Sequence, residues 1–233
     1  MNINLTYPTS WPEVKREHLL LLGKLMNKAL TREELLFDLL CKITGIKPLL
    51  RPGMDEGTIS AEYLFKMKGK GRFWMPVSII RQACDELSFI LDTVGLPECP
   101  ILSVNTKLHG ISFKSYYFAD NYLTRYQTTK ETQMMCMMHY SLTGKKIKSL
   151  APAEISAYII WWCGLKDYLK STYSEVLKED SGEGSDKTPA DILQELLSIL
   201  NQNHTDKNED ILNADVHAVF HSLNNIYLLN KKQ

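Results

Sequence analysis

The chain has 233 residues, of which 27 are Lys or Arg and 27 are Asp or Glu, so its formal net charge is zero. This balance removes the simplest argument for a nucleic-acid or anionic-membrane partner, although it does not exclude a local basic patch. The apolar fraction of 44% is ordinary for a globular protein and sufficient for a hydrophobic core.

The cysteine usage indicates a reducing compartment. The five cysteines are scattered along the chain and form no C-x-x-C pair. Most of them lie among apolar residues, where a free cysteine behaves as a small hydrophobic side chain. The N-terminus carries no basic and apolar leader of the kind that directs secretion. We therefore expect a cytoplasmic protein.

The first predicted elements are a strand and a helix. Residues 2–7 alternate polar and apolar side chains, which is the pattern of an edge strand. Ser10 and Glu13 have the spacing of a capping box, with Pro12 at an early helical position. These residues predict a helix that runs from there to about Leu25.

A second helix is predicted from Thr31. Thr31 and Glu34 have the spacing of another capping box, and leucines recur on one face of the sequence that follows. Gly45 and Pro48 should end this helix, because glycine favours a helix end and proline cannot continue one.

Residues 59–75 change to the two-residue period of β-strands. Apolar and polar side chains alternate through residues 59–68, and a glycine-containing turn follows at 69–71. Residues 72–75 would form the second strand of the hairpin. This segment is the best β-hairpin candidate in the chain. A helix of about fifteen residues is expected after Pro76.

The strongest helical signal lies in residues 112–178, interpreted as two helices and a long third one. Ser112 is expected to cap the first helix, and Thr128 with Glu131 to form a capping box for the second. The third helix is apolar on almost every side in its first half, which indicates burial, and it is too short and interrupted to span a membrane. Its main face consists of Ile155, Tyr158, Trp162, Leu165, Leu169, Thr172 and Val176.

The C-terminal region is predicted to be a separate helical pair. Residues 179–188 are polar, contain two glycines and resemble a linker. They would join a helical domain of residues 1–178 to two short helices within residues 189–230. Two short helices are marginal alone, so we expect them to dock on the core at 112–178, with a partner or a second copy as alternatives.

The predicted fold class is therefore mainly α: an irregular multi-helix domain with a small β-hairpin and a C-terminal helical pair.

The stretch Phe113–Tyr122 reads F-x-x-x-x-F-A-D-x-Y. This pattern resembles one found in uncharacterised proteins encoded in phage and prophage tail-gene regions. A Leu108-His109-Gly110 turn before it and a Trp161–Gly164 helix after it occur in a similar order, and the similarity covers roughly residues 87–231. The resemblance implies a chaperone-like role in tail assembly, near the step that involves the tape-measure protein.

The residues suited to metal binding or catalysis do not form a recognisable site. His217 and His221 lie one helical turn apart, as in zinc sites, but no third ligand accompanies them. Cys136 or Cys163 with His139 as base would need an electropositive setting, and both thiols lie in apolar runs that favour core packing. We expect no metal, no cofactor and no enzymatic activity.

Two groups of side chains are candidates for contact with a partner. A methionine cluster on one helix offers an adaptable surface, although packing in the core is the favoured alternative. The hairpin tip combines cations with aromatic residues, as nucleic-acid surfaces do, but a solvated hairpin would show the same pattern. These candidates are Met134, Met135 and Met138 in the cluster and Lys66, Lys68, Lys70, Arg72 and Trp74 at the hairpin.

Asp120 is the most informative single polar residue. It lies beside the apolar stripe from Tyr116 to Leu123, so we expect it to be half-buried. A half-buried carboxylate needs a partner, such as a backbone N–H or a tyrosine hydroxyl. No second acid at a suitable spacing supports general acid–base chemistry.

These observations favour a non-enzymatic factor that acts by protein–protein contact, with phage or prophage tail assembly as the implied process. The alternative is a small nucleic-acid-binding or regulatory protein that uses the basic hairpin tip. An enzyme is the third choice, because the sequence does not assemble a nucleophile, a base and an anion site.

Overall fold

The computed structural model describes residues 5–50, 62–177, 189–201 and 205–231. The fold is mainly α with a small three-stranded antiparallel sheet, so the predicted fold class is confirmed. The helices are α1 (Arg16–Met26), α2 (Arg32–Thr44), α3 (Val77–Leu87), α4 (Phe89–Asp92), α5 (Phe113–Thr129), α6 (Thr132–Thr143), α7 (Pro152–Thr172), α8 (Pro189–Asn201), α9 (Asn208–Asn213) and α10 (Val216–Asn230). The strands are β1 (Ile46–Leu50), β2 (Glu62–Met67) and β3 (Gly71–Pro76). Among the described residues, no helix is both long enough and apolar enough to cross a membrane.

The chain divides into two compact units. The first consists of Met1–Pro100 and Pro152–Ile160, and the second of Ile101–Ala151 and Trp161–Gln233. Helix α7 therefore contributes residues to both units. The predicted linker, residues 179–188, lies outside the described residues, and the helices that follow it belong to the second unit.

In the first unit, α1 and α2 pack against each other and α2 packs against the sheet. Leucines that recur at steps of three and four on the two helices form the core: Leu19, Leu22, Leu25, Leu36, Leu39 and Leu40. The capping box predicted at the start of α2 is confirmed. The Glu34 N–H donates to the Thr31 hydroxyl at 3.2 Å, and the Thr31 N–H donates to the Glu34 carboxylate at 2.9 Å.

Helix α1 and the start of α7 approach each other closely at Gly23. A Cβ at this position would lie 2.4 Å from the carbonyl oxygen of Ala153. Only glycine leaves room for the backbone of the other helix at this distance.

The predicted hairpin is confirmed over residues 62–75, and a third strand joins it. Residues 59–61 of the prediction lie outside the described residues. β2 and β3 pair antiparallel across the turn at residues 68–70, and β1 pairs antiparallel with the other edge of β2. Gly45, with φ of 70°, ends α2 and directs the chain into β1. Pro48 ends no element: it lies within β1, which is an edge strand, where proline is tolerated.

In the second unit, α5 and α6 form an antiparallel pair, and the second half of α7 and α10 complete the core. The core residues predicted from the helical pattern are buried: Tyr116, Leu123, Trp162, Leu165 and Leu169. Trp161, which does not belong to the predicted main face of α7, is also fully buried. Its indole N–H donates to the carbonyl of Thr106 at 3.1 Å, which satisfies the one polar atom of the side chain.

The start of α10 is joined to the start of α5 by backbone hydrogen bonds. The Phe113 N–H donates to the Ala214 carbonyl at 2.8 Å, and the Val216 N–H donates to the Ile111 carbonyl at 2.9 Å. Val216, Val219, Phe220 and Leu223 of α10 are buried, and the Phe220 ring lies edge-on to Tyr116 at 5.4 Å. The structure thus places the last helix against residues 101–123 of the same chain.

The N-terminal predictions need correction. Ser10 makes no side-chain cap, and Trp11–Glu13 form only a 3-10 turn, so α1 begins at Arg16. The reason lies in Val14, which is extended and 1% exposed and therefore interrupts the helix in order to enter the core. Residues 5–7 of the predicted edge strand are irregular, and residues 2–4 lie outside the described residues.

Two later boundaries also differ. Thr128 lies inside α5, which continues to Thr129 and turns at Lys130 with φ of 59°, so the capping box predicted with Glu131 does not form. Helix α7 ends at Thr172, short of the predicted end near residue 178.

Candidate functional site

The F-x-x-x-x-F-A-D-x-Y segment forms the first turns of α5. Ser112 caps the helix, since its hydroxyl accepts a hydrogen bond of 3.2 Å from the Ser115 N–H. Phe113 and Ala119 are buried in the core of the second unit. Phe118 and Tyr122 lie on another face of the helix and remain accessible.

Asp120 joins this segment to α7. Its carboxylate accepts a hydrogen bond of 2.9 Å from the indole N–H of Trp162 and another of 2.9 Å from the ammonium of Lys166. Its partners are thus an indole and an ammonium group, whereas a backbone N–H or a tyrosine hydroxyl was expected. The Asp120 side chain is half-buried, and Trp162 is fully buried.

Tyr116 completes this arrangement. Its ring stacks on Trp162 with centroids 5.6 Å apart and an angle of 19° between the planes. Burial raises the pKa of the Tyr116 hydroxyl, and the nearby Asp120 charge raises it further. The tyrosine therefore stays neutral at physiological pH, and the cluster is a packed support for α5 and α7.

Phe118 and Tyr122, hereafter the aromatic pair, contact each other on α5, where Phe118 is exposed and Tyr122 is half-buried. Their rings stack with centroids 6.3 Å apart, and Tyr117 meets Phe118 edge-on at 5.8 Å. Phe118 is 41% exposed. Aromatic side chains held by each other in this way are typical of protein interfaces, because their large apolar area is already ordered.

Two of the three candidate methionines lie in the core, which is the alternative that the sequence favoured. Met135 and Met138 are completely buried, so they belong to the core of the second unit and are not accessible to a partner. Met134 is half-buried. The α5–α6 pair supplies the physical reason, since it covers one face of α6.

The sheet separates apolar and basic side chains onto its two faces. Phe65 and Phe73 pair across β2 and β3 and are buried, and Phe37 of α2 lies 6.4 Å from Phe65. On the opposite face Lys66 pairs with Arg72, and all four cations predicted at the hairpin are exposed: Lys66, Lys68, Lys70 and Arg72. Trp74 is on the same face as Arg72 and is 55% exposed.

The third strand adds a cation that sequence reasoning missed. Lys47 of β1 pairs with Lys66 of β2, which in turn pairs with Arg72 of β3. Cross-strand partners lie on one face, so these three residues, hereafter the basic row, stand side by side on the exposed face. No local pattern indicated Lys47, because residues 46–50 lack strand alternation and contain a proline.

His217 has a structural role at the start of α10. Its Nε2–H donates to the Lys107 carbonyl at 2.6 Å, and its Nδ1 accepts from the Tyr173 hydroxyl at 2.8 Å. Both ring nitrogens are therefore engaged, and the ring stacks on His109 at 4.3 Å. His221 faces Asn225 at 3.1 Å, and no group of three or more potential metal ligands occurs within the described part of the chain.

The cysteines do not have the environment of a nucleophile. Partial desolvation raises the pKa of the Cys163 thiol, and nearby Lys166 only reduces this effect. Burial raises the pKa of Cys84 to about 11. A catalytic thiol requires the opposite shift, because the thiolate is the reactive form. Cys136 is half-buried on α6.

No protein-family model, no curated protein and no solved structure matches the chain. The resemblance to phage tail-region proteins therefore remains a prediction.

Proposed function

We propose that the chain is a non-enzymatic factor that acts by binding another protein, in the assembly of a phage or prophage tail. The observation that carries this proposal is the aromatic pair, Phe118 and Tyr122, which stack on each other at the surface of α5. The tail-specific part of the proposal rests on the resemblance of the segment Phe113–Tyr122 to proteins of tail-gene regions.

The segment divides into a structural part and an accessible part. Phe113 and Ala119 are buried, and Asp120 binds the indole N–H of Trp162, so folding alone accounts for these three residues. Packing of the core does not fully account for Phe118, because this large aromatic side chain is 41% exposed and stacks on Tyr122, which is itself only half-buried. A partner that covers them would explain why aromatic residues occupy these positions.

Energetic arguments favour a protein partner for this surface. Phe118 and Tyr122 lie four residues apart on one helix, so they present a continuous apolar ridge. Burying such anchors in a partner pocket supplies most of the affinity in many interfaces, typically 2 kcal/mol or more per hot-spot residue. The nearby Asp120–Trp162 and Tyr116–Trp162 contacts hold α5 in place, which reduces the entropy lost on binding.

The test is co-purification with the products of neighbouring genes, in particular any tail-tube or tape-measure protein. We expect the full chain to co-purify with one of these proteins. The double variant F118A/Y122A should no longer co-purify with it. Leu102→Ala is the matched control, because Leu102 is an exposed apolar residue elsewhere in the same unit.

The outcomes separate the two parts of the proposal. If F118A/Y122A bound as well as the parent chain, the aromatic pair would not be the interaction surface. If the gene had no tail-tube or tape-measure gene among its neighbours, the role in tail assembly would be abandoned and the protein-binding role would need another partner.

A further inference from the structure

The exposed face of the sheet combines three cations and an aromatic ring in a regular arrangement. Lys47, Lys66 and Arg72 form the basic row across the three strands, and Trp74 pairs with Leu64 two residues further along. We propose that this face binds single-stranded nucleic acid, with the basic row on the phosphates and Trp74 stacked on a base.

The basic row is unfavourable in the free protein. Like charges directly opposite each other across strands destabilise a sheet, and here Lys66 faces a cation on both sides. Among the described residues, no ion pair involves any of the three. A polyanion bound along the row would convert this repulsion into attraction.

Protection of sheet edges does not explain the arrangement. Cations on edge strands prevent unwanted pairing with other sheets. This protection is a sufficient explanation for Lys47 on β1 and for Arg72 on β3, since both strands are edges of the sheet. Lys66 lies on the central strand, whose two edges are both paired. Its charge therefore serves no protective role of this kind.

The position of Trp74 favours a nucleotide over other anions. Residues two apart on a strand lie on the same face about 6.7 Å apart, so Trp74 is adjacent to the basic row along the strand direction. A base can stack on the indole while its flanking phosphates reach the cations. Leu64 beside it is half-buried, and the next position, Glu62, is acidic, which limits the surface at that end.

A single strand fits this surface better than a duplex or an acidic protein does. Stacking on an exposed indole needs an unstacked base, which a duplex does not present. An acidic peptide would satisfy the cations but would gain little from the flat face of Trp74. The three cations of the basic row can contact about three phosphates. For single strands, each phosphate contact contributes about −0.7 to the slope of log affinity against log salt concentration. The expected slope is therefore about −2.

The test uses the full chain and a fluorescein-labelled 12-mer of oligothymidylate, with binding followed by anisotropy at several salt concentrations. A 12-base-pair duplex and polyglutamate serve as competitors. We expect saturable binding with a slope near −2, and at least tenfold weaker competition by the duplex and by polyglutamate. Failure of this test would leave the protein-binding role of α5 unaffected, since the aromatic pair lies in the other unit.

Variants separate stacking from charge. Trp74→Ala should lower affinity about 5- to 150-fold without changing the salt slope, and Trp74→Phe should restore part of it. The triple variant K47Q/K66Q/R72Q should abolish the salt dependence. Its matched control is K145Q/K146Q/K148Q, which removes the same charge from exposed lysines of the other unit.

Four results would overturn the proposal. The first two are no binding by the parent chain in low salt and an unchanged affinity in W74A. The other two are a loss of affinity in K145Q/K146Q/K148Q equal to that in K47Q/K66Q/R72Q, and competition by polyglutamate as strong as that by the unlabelled oligonucleotide. The last result would identify an acidic protein as the partner. Thermal melting of each variant shows whether it is folded, and Trp74→Phe replaces Trp74→Ala if the alanine variant is not.

Discussion

The carboxylate of Asp120 accepts a hydrogen bond of 2.9 Å from the indole N–H of Trp162, across 42 residues of sequence. The same carboxylate pairs with Lys166, one turn further along α7. Asp120 thereby satisfies the only polar atom of a fully buried tryptophan and attracts a cation at the surface. This contact fixes α5 against α7, and it places Phe118 and Tyr122 on the accessible side of α5.

Replacement of Asp120 by alanine should destabilise the protein through the orphaned indole. A buried donor without a partner costs about 1–3 kcal/mol of unfolding free energy. Lys166→Ala is the control, because loss of a partly exposed ion pair costs about 0–1 kcal/mol. Urea denaturation should give a clearly lower free energy of unfolding for D120A than for K166A. Equal losses in the two variants would mean that the ion pair, and not the indole hydrogen bond, makes the main contribution.

Gly23→Ala should also be destabilising, although alanine normally favours a helix. The added methyl would lie 2.4 Å from the Ala153 carbonyl oxygen, so α1 and the start of α7 would have to separate. Overpacking of this kind typically costs about 1–3 kcal/mol. Lys24→Ala, on the exposed side of the same helix, should change the melting temperature little. A G23A variant as stable as the parent would contradict the close packing at this point.

The elements that sequence reasoning recovered are those with local signals. The capping box of Thr31 and Glu34 involves neighbouring residues, and the hairpin at 62–76 is specified by alternation and a glycine turn. Strand β1 could not be found in this way. Its sequence, Ile46–Leu50, contains a proline and no alternation, and it forms a strand because β2 offers an edge for pairing.

The candidate site shows the same division between local and tertiary information. Sequence pattern placed Asp120 beside an apolar stripe, but its partner Trp162 lies on another helix, which a local pattern does not identify. Neighbouring methionines differ by 100° around a helix, so the pattern indicated that some would be buried without saying which. Lys47 joined the basic row only through its pairing with Lys66.

Charge reversal at the centre of the basic row should stabilise the free protein. Lys66→Glu would replace two like-charge cross-strand pairs by two opposite-charge pairs, each worth about 0.2–1 kcal/mol. The melting temperature should rise, and the gain should shrink in 1 M salt because exposed charges are screened. Lys68→Glu, in the turn and without a cross-strand partner, is the control. A lower melting temperature in K66E than in K68E would contradict the repulsion inferred for the row.

Asp215 should make a pH-dependent contribution to stability. Its carboxylate accepts hydrogen bonds from the Gly110 N–H at 2.7 Å and the His217 N–H at 2.8 Å, and so caps α10 and holds the turn before α5. Burial alone would raise the pKa of Asp215, but these backbone hydrogen bonds outweigh it and hold the pKa below the ordinary value of 3.8. A depressed pKa means that the folded state favours the ionised form.

The Asp215→Asn variant isolates this effect, because asparagine retains a cap but carries no charge. The stabilisation by Asp215 is complete above the ordinary, unfolded-state pKa of 3.8 and is lost as the pH falls through the lower folded-state pKa. The parent should therefore exceed D215N in unfolding free energy at pH 5, where the Asp215 carboxylate is ionised in both the folded and the unfolded state. That difference should shrink below about pH 4, as measured by urea denaturation at each pH. The pKa of Asp92 is also lowered, by its hydrogen bond from Arg32, but both proteins retain this pair and its contribution cancels in the difference. A gap that persisted undiminished to pH 3 would show that the carboxylate charge is not what stabilises this end of α10.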